Sequence, residues 1–128
     1  MTTAPDIVVI EDDPIMREAL TDWLQAAGYG VRTAADGNAG LAAVKLAVPA
    51  LVITDIHMPG TSGAAIISEL KRDYPEVAII AISGLFNSGH GLDAEAALAL
   101  GAARALAKPF KRAELLRAVA ELLGRSAP

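Results

Sequence analysis

Asp6-Ile7-Val8-Val9-Ile10-Glu11-Asp12-Asp13-Pro14 holds a strand, a knot of acids and the first turn of a helix within one short stretch. Ile7 to Ile10 are all apolar and β-branched, without the alternation of a half-exposed strand, so the pattern is that of a strand covered on both faces. Asp13 is a helix N-cap type and Pro14 suits the first helical position, where its missing N–H costs nothing. Met16, Leu20, Trp23, Leu24 and Ala27 then recur at helical spacing, and Gly28 stops the helix. A strand covered on both faces that turns at once into an amphipathic helix is the unit of a parallel α/β sheet.

The alternation continues outward. Residues 31–34 form a weaker strand, and Asp36-Gly37 turns into a helix over 39–47 that Pro49 closes. Ala50-Leu51-Val52-Ile53-Thr54 is another apolar strand, ending at Asp55, and Met58-Pro59-Gly60-Thr61-Ser62-Gly63 reads as a loop. A third helix over 64–73 stops at Tyr74-Pro75, before the strand Val77-Ala78-Ile79-Ile80-Ala81-Ile82. The segment Ser83-Gly84-Leu85-Phe86-Asn87-Ser88-Gly89-His90-Gly91 is polar and glycine-rich and is expected to move. A short helix runs to Leu100 under a Gly101 cap, and the alternation places a fifth strand at 103–107. After Lys108-Pro109-Phe110, the residues Leu115, Leu116, Val119, Leu122 and Leu123 give the last helix its core face, and 124–128 read as a frayed tail.

Five strand–helix units predict a doubly wound parallel sheet with helices on both faces, the flavodoxin-like three-layer arrangement. The 128 residues make one domain with its core over about 6–123, and no linker divides them. The chain has no cysteine, which excludes disulfides, thiolate metal sites and a cysteine nucleophile. A net charge of −4 argues against nucleic-acid binding by bulk charge. The N-terminus lacks a basic region and an apolar run, and no apolar stretch is long enough to span a membrane, so a cytoplasmic protein is expected.

In such sheets ligands bind beyond the carboxyl ends of the strands. Those ends carry Glu11, Asp12 and Asp13, then Asp55, Ser83 and Lys108. If the first and third strands are neighbours, Glu11, Asp12 and Asp55 share one pocket. Two like charges ~5 Å apart at an effective dielectric of ~20 repel by roughly 3 kcal/mol. Lys108 supplies one positive charge against three negative ones, so raised pKa values or a cation must offset the rest. An all-oxygen cluster suits a hard divalent ion such as Mg2+. Asp13, beside Pro14, is more simply a helix cap.

These blocks carry a resemblance. Val8-Val9-Ile10-Glu11-Asp12-Asp13-Pro14 is similar to the acidic opening of two-component response-regulator receiver domains, and Asp55-Ile56-His57-Met58-Pro59-Gly60-Thr61-Ser62-Gly63 resembles their phosphoacceptor loop. Ile82-Ser83-Gly84, Gly101-Ala102 and Ala107-Lys108-Pro109-Phe110 resemble the remaining blocks, in the same order. The resemblance covers residues 6–123 and implies a five-stranded sheet of order 2-1-3-4-5 with five helices. It implies that Asp55 accepts a phosphoryl group from the phosphohistidine of a histidine kinase or histidine phosphotransfer protein. It also implies that Asp12, Asp55 and the His57 backbone carbonyl bind Mg2+ (or Mn2+ in its place), with Glu11 acting through water. Ser83 would hydrogen-bond the phosphoryl group and Lys108 would pair with it. The acyl phosphate would then hydrolyse itself, with no conventional enzymatic turnover, after switching the binding of a downstream protein target. No direct contact with nucleic acid or membrane is expected.

The sequence departs from that family pattern in places. Three residues before Lys108 the usual aromatic is Ala105, and ordering of the glycine-rich loop, through Phe86, is the expected substitute. Glu11 stands where Asp is commoner. His57 and Leu85, two residues beyond Asp55 and Ser83, stand where the resemblance implies that they would flank the path of attacking water, and so predict a long phosphoryl lifetime, although His57 reads equally as an exposed loop histidine. Neither His57 nor His90 has a partner at zinc-ligand spacing. Ile15, Met16 and Arg17 are candidate kinase contacts, with Met16 equally plausible as core. Within these residues no output domain follows the last helix, so action by docking or phosphoryl shuttling is expected, or these residues are one domain of a hybrid kinase. Two rival readings share the architecture. An FMN-binding flavodoxin-like protein would need a hydroxyl-rich phosphate loop where Glu11, Asp12 and Asp13 stand. A Mg-dependent aspartyl-phosphate phosphohydrolase would normally carry a second carboxylate at the place of His57.

Overall fold

The three inner strands of the central sheet are apolar runs buried on both faces, while the edge strands carry Arg32 and Arg104. The computed structural model describes residues 6–58, 61–84 and 94–124. In chain order the elements are β1 (Asp6–Ile10), α1 (Pro14–Ala26), β2 (Gly30–Ala34), α2 (Gly37–Leu46), β3 (Leu51–Asp55), β4 (His57–Met58), β5 (Thr61–Ser62), α3 (Gly63–Asp73), β6 (Ala78–Ser83), α4 (Ala94–Leu100), β7 (Arg104–Ala107) and α5 (Arg112–Leu123). Side-chain caps begin three of the helices. Asp13 accepts from the Ile15 amide at 3.0 Å, Asp36 from the Ala39 amide at 2.7 Å and Ser62 from the Ala65 amide at 3.3 Å. Gly28 and Gly101 leave α1 and α4 at φ 95° and 124°, a region that side chains with a Cβ avoid.

The five long strands form one parallel sheet in the order β2-β1-β3-β6-β7. With the two-residue strands left aside, that is the expected order 2-1-3-4-5. The register pairs Ile10 with Thr54, Asp55 with Ile82 and Ser83 with Ala107. The carboxyl ends of β1, β3, β6 and β7 therefore meet along one edge, and the residues just beyond them become neighbours.

Alternate strand residues feed two cores. Val8, Ile10, Val52, Ile79 and Ala81 pack with Val44 of α2, Ile66, Ile67 and Leu70 of α3 and Ala97 of α4. Ile7, Val9, Leu51, Ile53, Ile80 and Ile82 pack with Leu20 and Leu24 of α1 and Leu115, Ala118 and Val119 of α5. Each fully buried Ile or Leu contributes about 2 kcal/mol by area, which makes the sheet a rigid base for its edge. Among the described residues no helix is long and apolar enough to cross a membrane.

Two expectations need correction. The 58–63 stretch is not loop throughout: β4 and β5 pair antiparallel, His57 opposite Ser62 and Met58 opposite Thr61. A ladder of two residues is too short to leave a periodic signal in sequence. α2 begins at Gly37 rather than at 39, because Asp36 caps it directly. The expected mobile segment after Ser83 lies, from residue 85 to 93, outside the described residues, as does the tail over 125–128.

Candidate functional site

Glu11 is held as one more rung of the sheet, its N–H donating to the Ala34 carbonyl at 3.0 Å. That directs its side chain into the sheet edge, where the residue is wholly buried. Glu11 Oε1 accepts from Lys108 Nζ at 2.6 Å, and Oε2 accepts from the Asp13 amide at 3.2 Å. Asp55, the last residue of β3, is 5% exposed. Its Oδ2 accepts from the same Lys108 Nζ at 2.8 Å, and its Oδ1 from the His57 amide at 2.9 Å. The Thr54 hydroxyl donates to the Asp55 carbonyl at 2.9 Å.

Lys108 reaches both acids because its own backbone is tied to the next strand. Its N–H donates to the Ser83 carbonyl at 2.8 Å, extending the β6–β7 pairing by one step. Ser83 is wholly buried. The peptide from Lys108 to Pro109 is cis, which the sequence reading did not foresee. Asp12, one residue past Glu11, is exposed, yet it contributes to the cluster. One carboxylate oxygen each from Glu11, Asp12 and Asp55 lie within 4.8 Å of one another.

Burial, the largest influence, pushes the Glu11 carboxyl up from the ordinary 4.5 to about 7, against the pull of the Lys108 ammonium and the Asp13 amide; the Asp55 charge adds to the rise. Burial works against the Lys108 ammonium too, but its bonds to Asp55 and Glu11 outweigh that and hold its pKa above the ordinary lysine value. One ammonium shared by two buried carboxylates, with Asp12 at the rim, leaves surplus negative charge. The donors are all oxygen, three carboxylates on a cleft open at Asp12, and that set fits a hard divalent cation rather than a thiophilic metal.

Of the residues singled out in sequence, Glu11, Asp12, Asp55, Ser83 and Lys108 come together at this edge. Asp13 stays apart as the α1 cap. The His57 side chain is half-buried rather than fully exposed, and its Nε2 is buried without a hydrogen-bond partner among the described residues. Ala105 pairs with Ala81 and packs against the core that includes α3 and α4. Leu85, Phe86 and His90 lie outside the described residues. Ile15 is 79% exposed, as a docking contact requires, whereas Met16 packs against the α1 and α5 core.

Two residues of the site escaped the sequence reading in their actual roles. Arg17 turns back from α1 and donates through Nη1 to the Glu11 carbonyl at 2.8 Å, where the sequence suggested a kinase contact. Gly63 lies so close to Ile56 that a Cβ there would collide with its side chain and backbone. The only sequence signal for the second was a glycine at a helix start.

A family model described as the response regulator receiver domain matches residues 7–120. The transcriptional regulatory protein FixJ of Azorhizobium caulinodans is 37% identical over 119 residues, covering 93% of this chain and 55% of FixJ. BaeR of Escherichia coli is 28% identical over 124 residues, covering 97% of this chain and 50% of BaeR. The chain thus spans about half the length of these regulators. Among solved structures, the receiver domain of NtrX from Brucella abortus aligns with a TM-score of 0.85 at 33% identity, covering 94% of this chain and 100% of that one. The chemotaxis protein CheY4 of Vibrio cholerae aligns with a TM-score of 0.83 at 26% identity, covering 93% and 98%.

Proposed function

The chain belongs to the response regulator receiver domain family, the phosphoacceptors of two-component signalling, and on that premise we propose that Asp55 is the residue that takes up the phosphoryl group. The observation that carries this is the state of its carboxylate. Asp55 is nearly buried at a strand end, held at both oxygens by Lys108 and the His57 amide, with Glu11 and Asp12 oxygens beside it.

The donor is the phosphohistidine of a histidine kinase or of a histidine phosphotransfer protein, met in the cytoplasm. An Asp55 oxygen attacks phosphorus, the P–N bond breaks, and its electron pair returns to the donor imidazole. Such transfer needs positioning and charge neutralisation more than covalent help. The two hydrogen bonds fix the attacking carboxylate in place before the donor arrives. Once the carboxylate becomes an acyl phosphate it loses its charge, and the Lys108 ammonium passes from Asp55 Oδ2 to a phosphoryl oxygen. The Ser83 hydroxyl, on the neighbouring strand end, donates to another. Asp12 and Asp55, with the His57 carbonyl and with Glu11 through water, would hold Mg2+, which supplies positive charge to the phosphoryl oxygens in transfer. Water later attacks the phosphorus, the P–O bond to Asp55 breaks with its electron pair returning to the carboxylate, and inorganic phosphate leaves. The product switches binding of a downstream protein, and no substrate is turned over in the ordinary sense.

The rival readings fare worse on the same geometry. An FMN phosphate would have to sit against Glu11 and Asp12, where the local charge repels it. A phosphohydrolase would use His57 to protonate a leaving group, but its Nε2 is buried. The deciding experiment is incubation with acetyl phosphate and Mg2+ followed by mass spectrometry of the intact protein. One added phosphoryl group is expected in the wild type and none in Asp55→Asn. Equal labelling of Asp55→Asn would overturn the assignment.

A further inference from the structure

We propose that Arg17 is a positioning residue for the cation-binding acids: its guanidinium pins the Glu11 carbonyl and so sets how Asp12 leaves the sheet edge. The inference rests on the reading above, in which Asp12 and Asp55 hold the cation.

The β1 register with its neighbours ends at Ile10. Glu11 is still tied on one side, through its N–H to the Ala34 carbonyl. Its carbonyl points beyond the last rung and accepts from Arg17 Nη1 at 2.8 Å. The peptide joining Glu11 to Asp12 is planar, so a bond that fixes this carbonyl fixes the plane from which Asp12 departs. Asp12 needs such help. It is exposed, and among the described residues no hydrogen bond of its own side chain holds it.

Arg17 is itself well anchored. Its N–H donates to the Asp13 carbonyl at 2.9 Å, and its own carbonyl accepts from the Thr21 hydroxyl at 2.8 Å. The first turn of α1 therefore clamps back onto the end of β1, closing the loop that carries Asp12. Among the described residues Arg17 forms no ion pair, although its guanidinium reaches the main chain of one of the cluster's acids. Its guanidinium donates to a main-chain oxygen, the choice of a group that orders backbone and not of one that neutralises a carboxylate.

The two roles differ in sign. By charge alone, removing a cation near the acids must tighten binding of Mg2+. If Arg17 acts by position, removing it must weaken binding. We measure Mg2+ affinity by calorimetric titration of wild type, Arg17→Met, Arg17→Lys and Asp12→Asn, with urea unfolding of each. Arg17→Met keeps the apolar stem and should bind Mg2+ about tenfold more weakly, the worth of one charge-assisted hydrogen bond. Arg17→Lys restores a charged donor and should lie within about threefold of wild type on the same scale. At saturating Mg2+ the acetyl phosphate labelling rate of Arg17→Met should recover. Unchanged or tighter Mg2+ binding in Arg17→Met, with binding lost in Asp12→Asn, overturns the role of Arg17 while leaving the metal site intact. So does an Arg17→Lys variant as weak as Arg17→Met. Undiminished binding in Asp12→Asn would instead overturn the metal-site reading beneath it.

Discussion

Glu11 and Lys108 stand 97 residues apart in sequence, and in the fold Lys108 Nζ donates to Glu11 Oε1 at 2.6 Å. The acid is wholly buried and the lysine side chain 21% exposed, so the contact is an interior ion pair that a second acid, Asp55, shares. Removing one member of such a pair leaves an uncompensated charge in the interior, at a cost of about 3 kcal/mol or more. Lys108→Met is therefore expected to lower unfolding stability by about that amount at pH 8. At pH 5 the loss should be smaller, because Glu11 can take up a proton and discard its charge. Urea denaturation at the two pH values checks both statements.

Glu11 also gives the metal-free protein a particular pH dependence. Its folded pKa, about 7, lies above its ordinary 4.5. A carboxyl shifted upward prefers its proton when folded, so its stabilising contribution is complete below pH 4.5 and is lost as pH rises toward 7. The difference amounts to about 3 kcal/mol. The raised pKa of Lys108 acts in the alkaline range, where stability falls only as pH climbs past the ordinary lysine value. In EDTA, the wild type should lose stability between pH 4.5 and 7.5 relative to Glu11→Gln, whose curve lacks this component. Parallel curves for the two proteins would contradict the assignment. Added Mg2+ should reverse the trend, since the cation binds the carboxylate and not the acid.

Much of this architecture was legible from contiguous residues. Ile7 to Ile10 and Ile79 to Ile82 announce covered strands by being apolar without interruption, and Asp13-Pro14 announces a helix start because a cap acts within three residues. The edge that gathers Glu11, Asp55, Ser83 and Lys108 follows from strand order, which the resemblance supplied. Contacts that depend on side-chain direction were not legible. Arg17, on the first turn of an amphipathic helix, has the composition of a surface contact, and nothing local says that its guanidinium turns back to a carbonyl six residues earlier. Nor does a glycine at position 63 reveal that the Ile56 backbone lies against it.

That approach makes Gly63 a test of how the phosphoacceptor turn is held. A methyl group at position 63 would meet the Ile56 backbone, which cannot swing aside like a flexible side chain. Ile56 is fixed in turn by its N–H, which donates to the Ile82 carbonyl at 3.1 Å. Gly63→Ala should lower stability by about 2 kcal/mol, the usual penalty for forcing atoms into a packed site. It should also slow labelling of Asp55, because the displaced segment carries the His57 amide that holds Asp55 Oδ1. Thermal melts and acetyl phosphate labelling rates would register the two effects separately. A variant with wild-type stability and labelling would mean that the α3 start shifts freely.

His57 bears on how long the signal lasts. Its backbone N–H grips Asp55 Oδ1 at 2.9 Å, so the residue cannot move far from the carboxyl group that takes up the phosphoryl group. The imidazole is half-buried, with Nε2 enclosed and unpartnered among the described residues, and so is badly placed to accept a proton from incoming water at that atom. A bulky ring in this place should shield phosphorus without assisting attack. The acyl phosphate is accordingly expected to outlast minutes in the absence of a phosphatase. Replacing the ring while keeping the amide, as in His57→Ala, should speed hydrolysis about fivefold, equivalent to about 1 kcal/mol of barrier. Decay of the mass-shifted species after removal of acetyl phosphate measures both lifetimes. Wild-type decay within seconds, or slower decay in His57→Ala, would show that the ring assists water and does not exclude it.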